Sequence, residues 1–150
     1  MIKVCTEDFD LGLLTNELRQ KSPQSGAIVN FVGLVRDINH GQSVSKLFLE
    51  HYPAMTEKVL TDICSRAKAR FSVDHIDVIH RVGELDLNSQ IVYVGVSAMH
   101  RGNAFNCCEY VMDYLKSEAP FWKKESQHGQ QVWLDANPSD LAAKARWEQS

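Results

Sequence analysis

What this chain of 150 residues lacks narrows its chemistry before any motif is read. No apolar run approaches the roughly 20 residues that a membrane-spanning helix needs. The N-terminus, MIKVCTEDFD, has neither the basic start nor the apolar core of a secretory signal, so the expected location is cytoplasmic. A large excess of one charge is missing too. Sixteen Lys and Arg stand against nineteen Asp and Glu, a net charge of −3. That balance excludes a general nucleic-acid binder, which needs a broad basic surface. Cysteine is sparse: Cys5, Cys64, Cys107 and Cys108, none in a C-x-x-C spacing. The adjacent Cys107 and Cys108 could not easily bridge each other on a helix, and all four read as reduced thiols of a cytosolic protein. The six histidines keep no metal-ligand rhythm, and His75 and His80 are spaced wrongly for one helical face. No metal site is expected. Repeats and low-complexity tracts are absent. What remains is ordinary: 44% hydrophobic and 23% charged residues, enough for one domain, residues 1–150, with a real core.

The patterning is mixed. Asp10 can cap a helix carrying Leu11, Leu14 and Leu18. GAIVNFVGLV, Gly26 to Val35, reads as a strand ended by Arg36, with a loop over DINHGQS. Val44 to Tyr52 reads as the return strand. Pro53 opens a helix whose Met55, Val59, Ile63, Ala67 and Phe71 share a face. Val73 to His80 is a strand, RVGELDLNSQ a loop with a turn at Asn88-Ser89, and Ile91 to Ala98 a buried strand. Gln131 to Leu134 forms a short strand, and a last helix runs to Trp147. Strands neighbour one another rather than alternating strictly with helices, so the expected class is α+β.

The stretch from His100 to Lys124, HRGNAFNCCEYVMDYLKSEAPFWKK, stands out. Asn103 can cap a helix with Ala104, Cys108, Val111, Met112 and Leu115 as its apolar stripe. Pro120 stops it. His100 and Arg101 precede the helix start, where free N–H groups favour an anion, and Arg101 adds a planar fork of donors. Lys116 closes the far end, and Lys123 follows a Pro-Phe-Trp segment. Cations at both ends of one apolar helix suit an anionic small molecule.

Five segments carry a resemblance: GAIVNFVGLVR (Gly26 to Arg36), LEHYPAMTEK (Leu49 to Lys58), VIHRVGEL (Val78 to Leu85), VGVSAMHRGNAF (Val94 to Phe105) and MDYLKSEAPFWKKE (Met112 to Glu125). In order and spacing the chain resembles the catalytic (large) subunit of molybdopterin synthase, the MoaE family. The segments lie within about two thirds of the chain.

The resemblance implies an α/β hammerhead-like fold with an added antiparallel sheet. It implies a sulfurtransferase with no cofactor of its own. The substrate would be cyclic pyranopterin monophosphate, receiving two sulfurs to form the dithiolene of molybdopterin in molybdenum cofactor biosynthesis. Sulfur would arrive as the C-terminal thiocarboxylate of a small ubiquitin-like sulfur-carrier subunit, within a 2:2 heterotetramer built on a homodimer of this chain. Carried over by position, Lys116 and Lys123 are the two catalytic lysines. Arg36, His100 and Arg101 hold the anion, Phe31 and Met112 line the pocket, and Glu125 is the acidic residue near the second lysine. Asn137 stands where some members have a basic residue.

These residue types suit that chemistry. A thiocarboxylate brings its own nucleophilic sulfur, so no catalytic cysteine is needed. Attack on the pterin side chain builds charge and then needs proton transfer, which a lysine can supply as acid or base or by stabilising an oxyanion. Two other readings stay open. A phosphate-binding module would explain Arg36, His100 and Arg101 but leaves both lysines without a task. A docking scaffold would use Phe121 and Trp122 to anchor a partner.

Overall fold

The computed structural model describes residues 1–36, 38–39, 42–43, 46–127, 130–134 and 138–148, with 38–39, 42–43, 125–127 and 130–134 described by backbone alone. Its elements run β1 (Ile2–Cys5), α1 (Leu11–Gln20), β2 (Ala27–Leu34), β3 (Ile38–Asn39), β4 (Gln42–Ser43), β5 (Lys46–His51), α2 (Pro53–Phe71), β6 (His75–Arg81), β7 (Gly83–Asp86), β8 (Gln90–Ala98), α3 (Arg101–Glu118), β9 (Phe121–Gln127), β10 (Gln130–Leu134) and α4 (Pro138–Glu148). The class is α+β, as expected.

The first sheet has the order β1-β6-β8-β2, with β1 and β6 parallel and the other pairs antiparallel. Its strands are covered on both faces, which explains the unbroken apolar run in β8. Alternation sends Ile76 and Val78 of β6, with Val92, Val94 and Val96 of β8, toward α2 and α3. Ile79 and Tyr93 point the other way, onto Leu14 of α1. Tyr93 donates its hydroxyl hydrogen to Asn30 at 3.0 Å. Position 95 must be glycine there, because a Cβ would run into the Tyr93 hydroxyl. The Asp10 carboxylate caps α1 by accepting from the Leu13 N–H at 3.0 Å.

The second sheet, β10-β9-β5-β7, is antiparallel throughout. Leu47, Leu49 and Leu85 point inward to meet Val35 and Val82, with Phe121 and Ile91 packed at the margin. The fold is thus the hammerhead-like arrangement with an added antiparallel sheet.

Four local expectations change. β5 does not return along β2. It joins the second sheet, because Leu47 and Leu49 bury best against Leu85 and Val82. The stretch expected as a loop over RVGELDLNSQ contains β7, whose Leu85 is 1% exposed. Its turn is where expected, with Asn88 at φ 66°, a left-handed geometry that Asn tolerates. The buried face of α2 is Thr56, Leu60, Ile63 and Ala67, while Met55 is exposed. Packing on two neighbours rotated the stripe. Finally, His100 rather than Asn103 occupies the N-cap of α3 and makes no side-chain capping hydrogen bond.

Candidate active site

β8 passes into α3 through Met99 and His100 alone, and α3 packs back across β8 and β2. The reversal brings the last turn of α3 over the end of the sheet where β8 begins. There His80 of β6 pairs with Val92. His80 follows Ile76 and Val78 on the helix-facing side and is buried. Its Nδ1 lies 2.8 Å from the Arg81 carbonyl oxygen. A carbonyl only accepts, so the ring proton sits on Nδ1.

Pro120 and the chain reversal lead straight into β9, whose first residue, Phe121, stacks on His80. The centroids are 3.8 Å apart and the planes 17° from parallel. Phe121 pairs with His51 of β5, and those rings are 6.3 Å apart. Two residues on, Lys123 shares the face of Phe121. It pairs with Leu49, which is 2% exposed. Lys123 is therefore half-buried, while Trp122 turns outward against Tyr52. Lys116 ends α3 above the same place. Burial, together with the charges of Lys123 and Lys116 and with His51, pushes His80 down to about 4. The ring is thus neutral near pH 7, and both lysines converge on it. The Nδ1 of His51 is buried without a hydrogen-bond partner among the described residues.

Other expected site residues share this end. Met112 lies buried one turn before Lys116. Phe31 pairs with Val94 on the edge strand β2 and is 39% exposed. Arg36 is exposed just beyond β2, whose final residue Leu34 pairs with Gln90. Glu125 lies in β9 opposite Leu47, but its side chain is outside the described residues, as is Asn137.

His100 and Arg101 are elsewhere, which corrects the expectation of one anion site along α3. Arg101 precedes Lys116 by fifteen residues, which is about 22 Å of helix. Most of the apolar stripe between them faces the core: Ala104, Cys108, Val111 and Leu115 are all buried. Within one chain, no small anion reaches both ends.

The chain matches the family model described as MoaE protein over residues 4–118. The chain belongs to the MoaE family. Among its curated MoaE relatives, a molybdopterin synthase catalytic subunit of Ralstonia nicotianae is 53% identical over 97% of this chain and 83% of that protein. One from Vibrio cholerae is 50% identical over 98% of this chain and 97% of that protein. Two solved structures are similar to the fold. The molybdopterin biosynthesis MoaE protein of Burkholderia ambifaria superimposes with a TM-score of 0.86 at 48% identity, covering 99% of this chain and 97% of that one. A molybdopterin synthase from Staphylococcus aureus gives 0.79 at 28% identity, covering 88% and 95%.

The MoaE motifs do not single out His80 and His51, although both lie inside the segments that carry the resemblance. The available signal was alternation. A histidine continuing the inward file Ile76, Val78 has to be buried, and a buried histidine needs a reason. The thiols of the MoaE helix α3 are not nucleophiles. Burial pushes Cys107 and Cys108 up to about 12, and Cys64 to about 11, so all three stay protonated.

Proposed function

We propose that this chain is the catalytic subunit of a molybdopterin synthase, acting in the cytoplasm as one domain. It transfers two sulfurs from the C-terminal thiocarboxylate of a small ubiquitin-like subunit to cyclic pyranopterin monophosphate. The observation that carries the reading is the convergence of Lys116 and Lys123, from separate elements, on the neutral and buried His80. Family membership supports the reaction, and this convergence supports locating it at the foot of α3.

In each of two rounds the partner's sulfur bonds to a side-chain carbon of the pterin as the carbon–oxygen bond there breaks, its oxygen leaving as water or staying with the phosphate. Water then cleaves the acyl–sulfur bond, leaving sulfur on the pterin and a carboxylate on the partner. Lys116, exposed at the end of α3, serves as the acid or base or stabilises the oxyanion of the thioester stage. Lys123, aligned by β9, positions the tail carboxylate or the pterin. Arg36 neutralises the substrate phosphate at the same end. Phe31, Met112 and Glu125 complete the pocket. His100 and Arg101 lie about 22 Å along α3 from it in their own chain, so they join such a site only from a second copy. That geometry supports a homodimer inside a 2:2 assembly.

Reconstitution tests the proposal. The purified chain is mixed with cyclic pyranopterin monophosphate and a thiocarboxylated partner, and dithiolene formation is followed with the partner's sulfur loss by mass. Product with stoichiometric sulfur loss is expected. A bound partner with no product would leave a docking scaffold.

A further inference from the structure

Both lysines assigned to the chemistry act on one buried ring that has no role in it. The surroundings of His80 come from three strands. Its own strand, β6, supplies the Arg81 carbonyl that holds Nδ1–H and leaves the lone pair on Nε2. β9 supplies Phe121, flat against the ring at 3.8 Å. β5 supplies His51, paired with Phe121 on the other side. Phe121 is the first residue of β9, five positions after Lys116 and two before Lys123. Whatever sets Phe121 against His80 therefore sets the separation of the two lysines.

We infer that His80 is a positioning residue for the lysine pair: its ring seats Phe121 and so aligns β9, and its Nε2 lone pair is the acceptor that orients an ammonium group in the site. Only the neutral ring can do this. A protonated one would lose the acceptor and add a positive charge between two lysines. Burial and those same lysines favour the neutral form. The charged and titratable groups acting on the ring are Lys123, Lys116 and His51. No carboxylate of the described residues is among them. The kinetic part of the inference rests on the synthase reading; the structural part does not.

Two substitutions separate positioning from simple core filling. His80→Asn keeps an N–H near Nδ1, able to bond the Arg81 carbonyl, but has no acceptor at the depth of Nε2. His80→Gln reaches that depth with an amide oxygen. Both remove the ring stack. The first readout is competitive amine labelling of the full chain without partner, with Lys116 and Lys123 quantified by mass against the exposed Lys68. His80→Asn should change the labelling of at least one site lysine about 3-fold or more, and His80→Gln should return it toward wild type. The second readout is turnover in the reconstituted system. His80→Asn should lose about 10-fold or more in kcat relative to His80→Gln, with the pterin KM within about 2-fold, as for an interaction felt mainly in the transition state. Equal behaviour of the two variants in labelling would overturn the inference. If neither variant folds, Phe121→Leu decides. It removes the stack while keeping β9 apolar, and unchanged labelling of both lysines would overturn the role of the ring. A wild-type chain that yields no product counts against the synthase reading alone, because labelling still judges His80.

Discussion

The two ends of α3 carry the same kind of residue in opposite surroundings. At the C-terminal end, Lys116 and Lys123 both bear electrostatically on His80, against which Phe121 stacks, with His51 paired to Phe121; these residues are brought from α3, β9, β6 and β5. At the N-terminal end, His100 and Arg101 are exposed and His100 makes no capping hydrogen bond. One end is assembled by the chain's own packing, and the other presents cations to whatever approaches. The lesson is that two basic clusters on one helix are not one site. The helix separates them by about 22 Å, and only the rest of the fold says which of them is finished.

The sharpest way to break this contrast is at the finished end. Lys116→Ala should cost on the order of 100-fold or more in turnover, the scale of a lost acid–base or oxyanion group. Folding and partner binding should survive, because Lys116 is exposed. An active, well-folded variant would remove the chemistry from that end. At the open end, Arg101→Ala should raise the pterin KM by about 10-fold, the loss of a bidentate phosphate contact. Mixing the Arg101→Ala and Lys116→Ala chains should then restore part of the activity, since each hybrid pair contains one site with both residues. Absence of recovery in mixtures shown to exchange subunits would break the assignment of the two ends to a shared site.

Stability against pH sharpens the contrast further. His80 is pushed from 6.5 to about 4 by burial and its cationic neighbours. The unfolded chain therefore binds a proton there at higher pH than the folded one. The stability held by the neutral ring is fully present above about 6.5. It falls as pH drops toward 4, by a total of about 3 kcal/mol at the usual 1.36 kcal/mol per unit. A melting series from pH 7 to 4 should show His80→Gln losing much of the acid slope of the wild type; superimposable slopes would refute a buried neutral ring. His100→Gln, at the exposed end, should leave the slope unchanged. The smallest effect lies between the two ends. Arg146 of α4 reaches Asp113 of α3 at 2.8 Å and Glu109 at 2.6 Å while half exposed. Arg146→Ala should cost under about 1 kcal/mol in urea unfolding, since Trp147 still donates to Asp113.

Much of this was legible in the residues. The caps and stops of α1 and α2, the buried β8 and the apolar stripe of α3 follow from short-range rules of alternation and helical spacing. Both lysines are proposed by position, through the motif DYLK and the segment PFWK. β5 was not legible, because a strand's pattern shows which face is buried but not which sheet takes it. Nor was β7, whose four residues alternate too briefly to declare a strand. His80 and His51 escaped for a related reason. Each is an unremarked polar residue in a strand, and its meaning appears only when Phe121 arrives from far along the chain.

By itself the sequence determined the class, the limits of α1 and α2, the family and the identity of the cations, because each is written in local spacing or in the order of motifs. Tertiary structure decided which cations meet. Lys116 and Lys123 come together because α3 doubles back over the sheet and β9 begins at its foot. His100 and Arg101 stay apart because a helix is rigid along its length. The neutrality of His80 was decided there too, since desolvation and neighbouring charge exist only once the strands have packed.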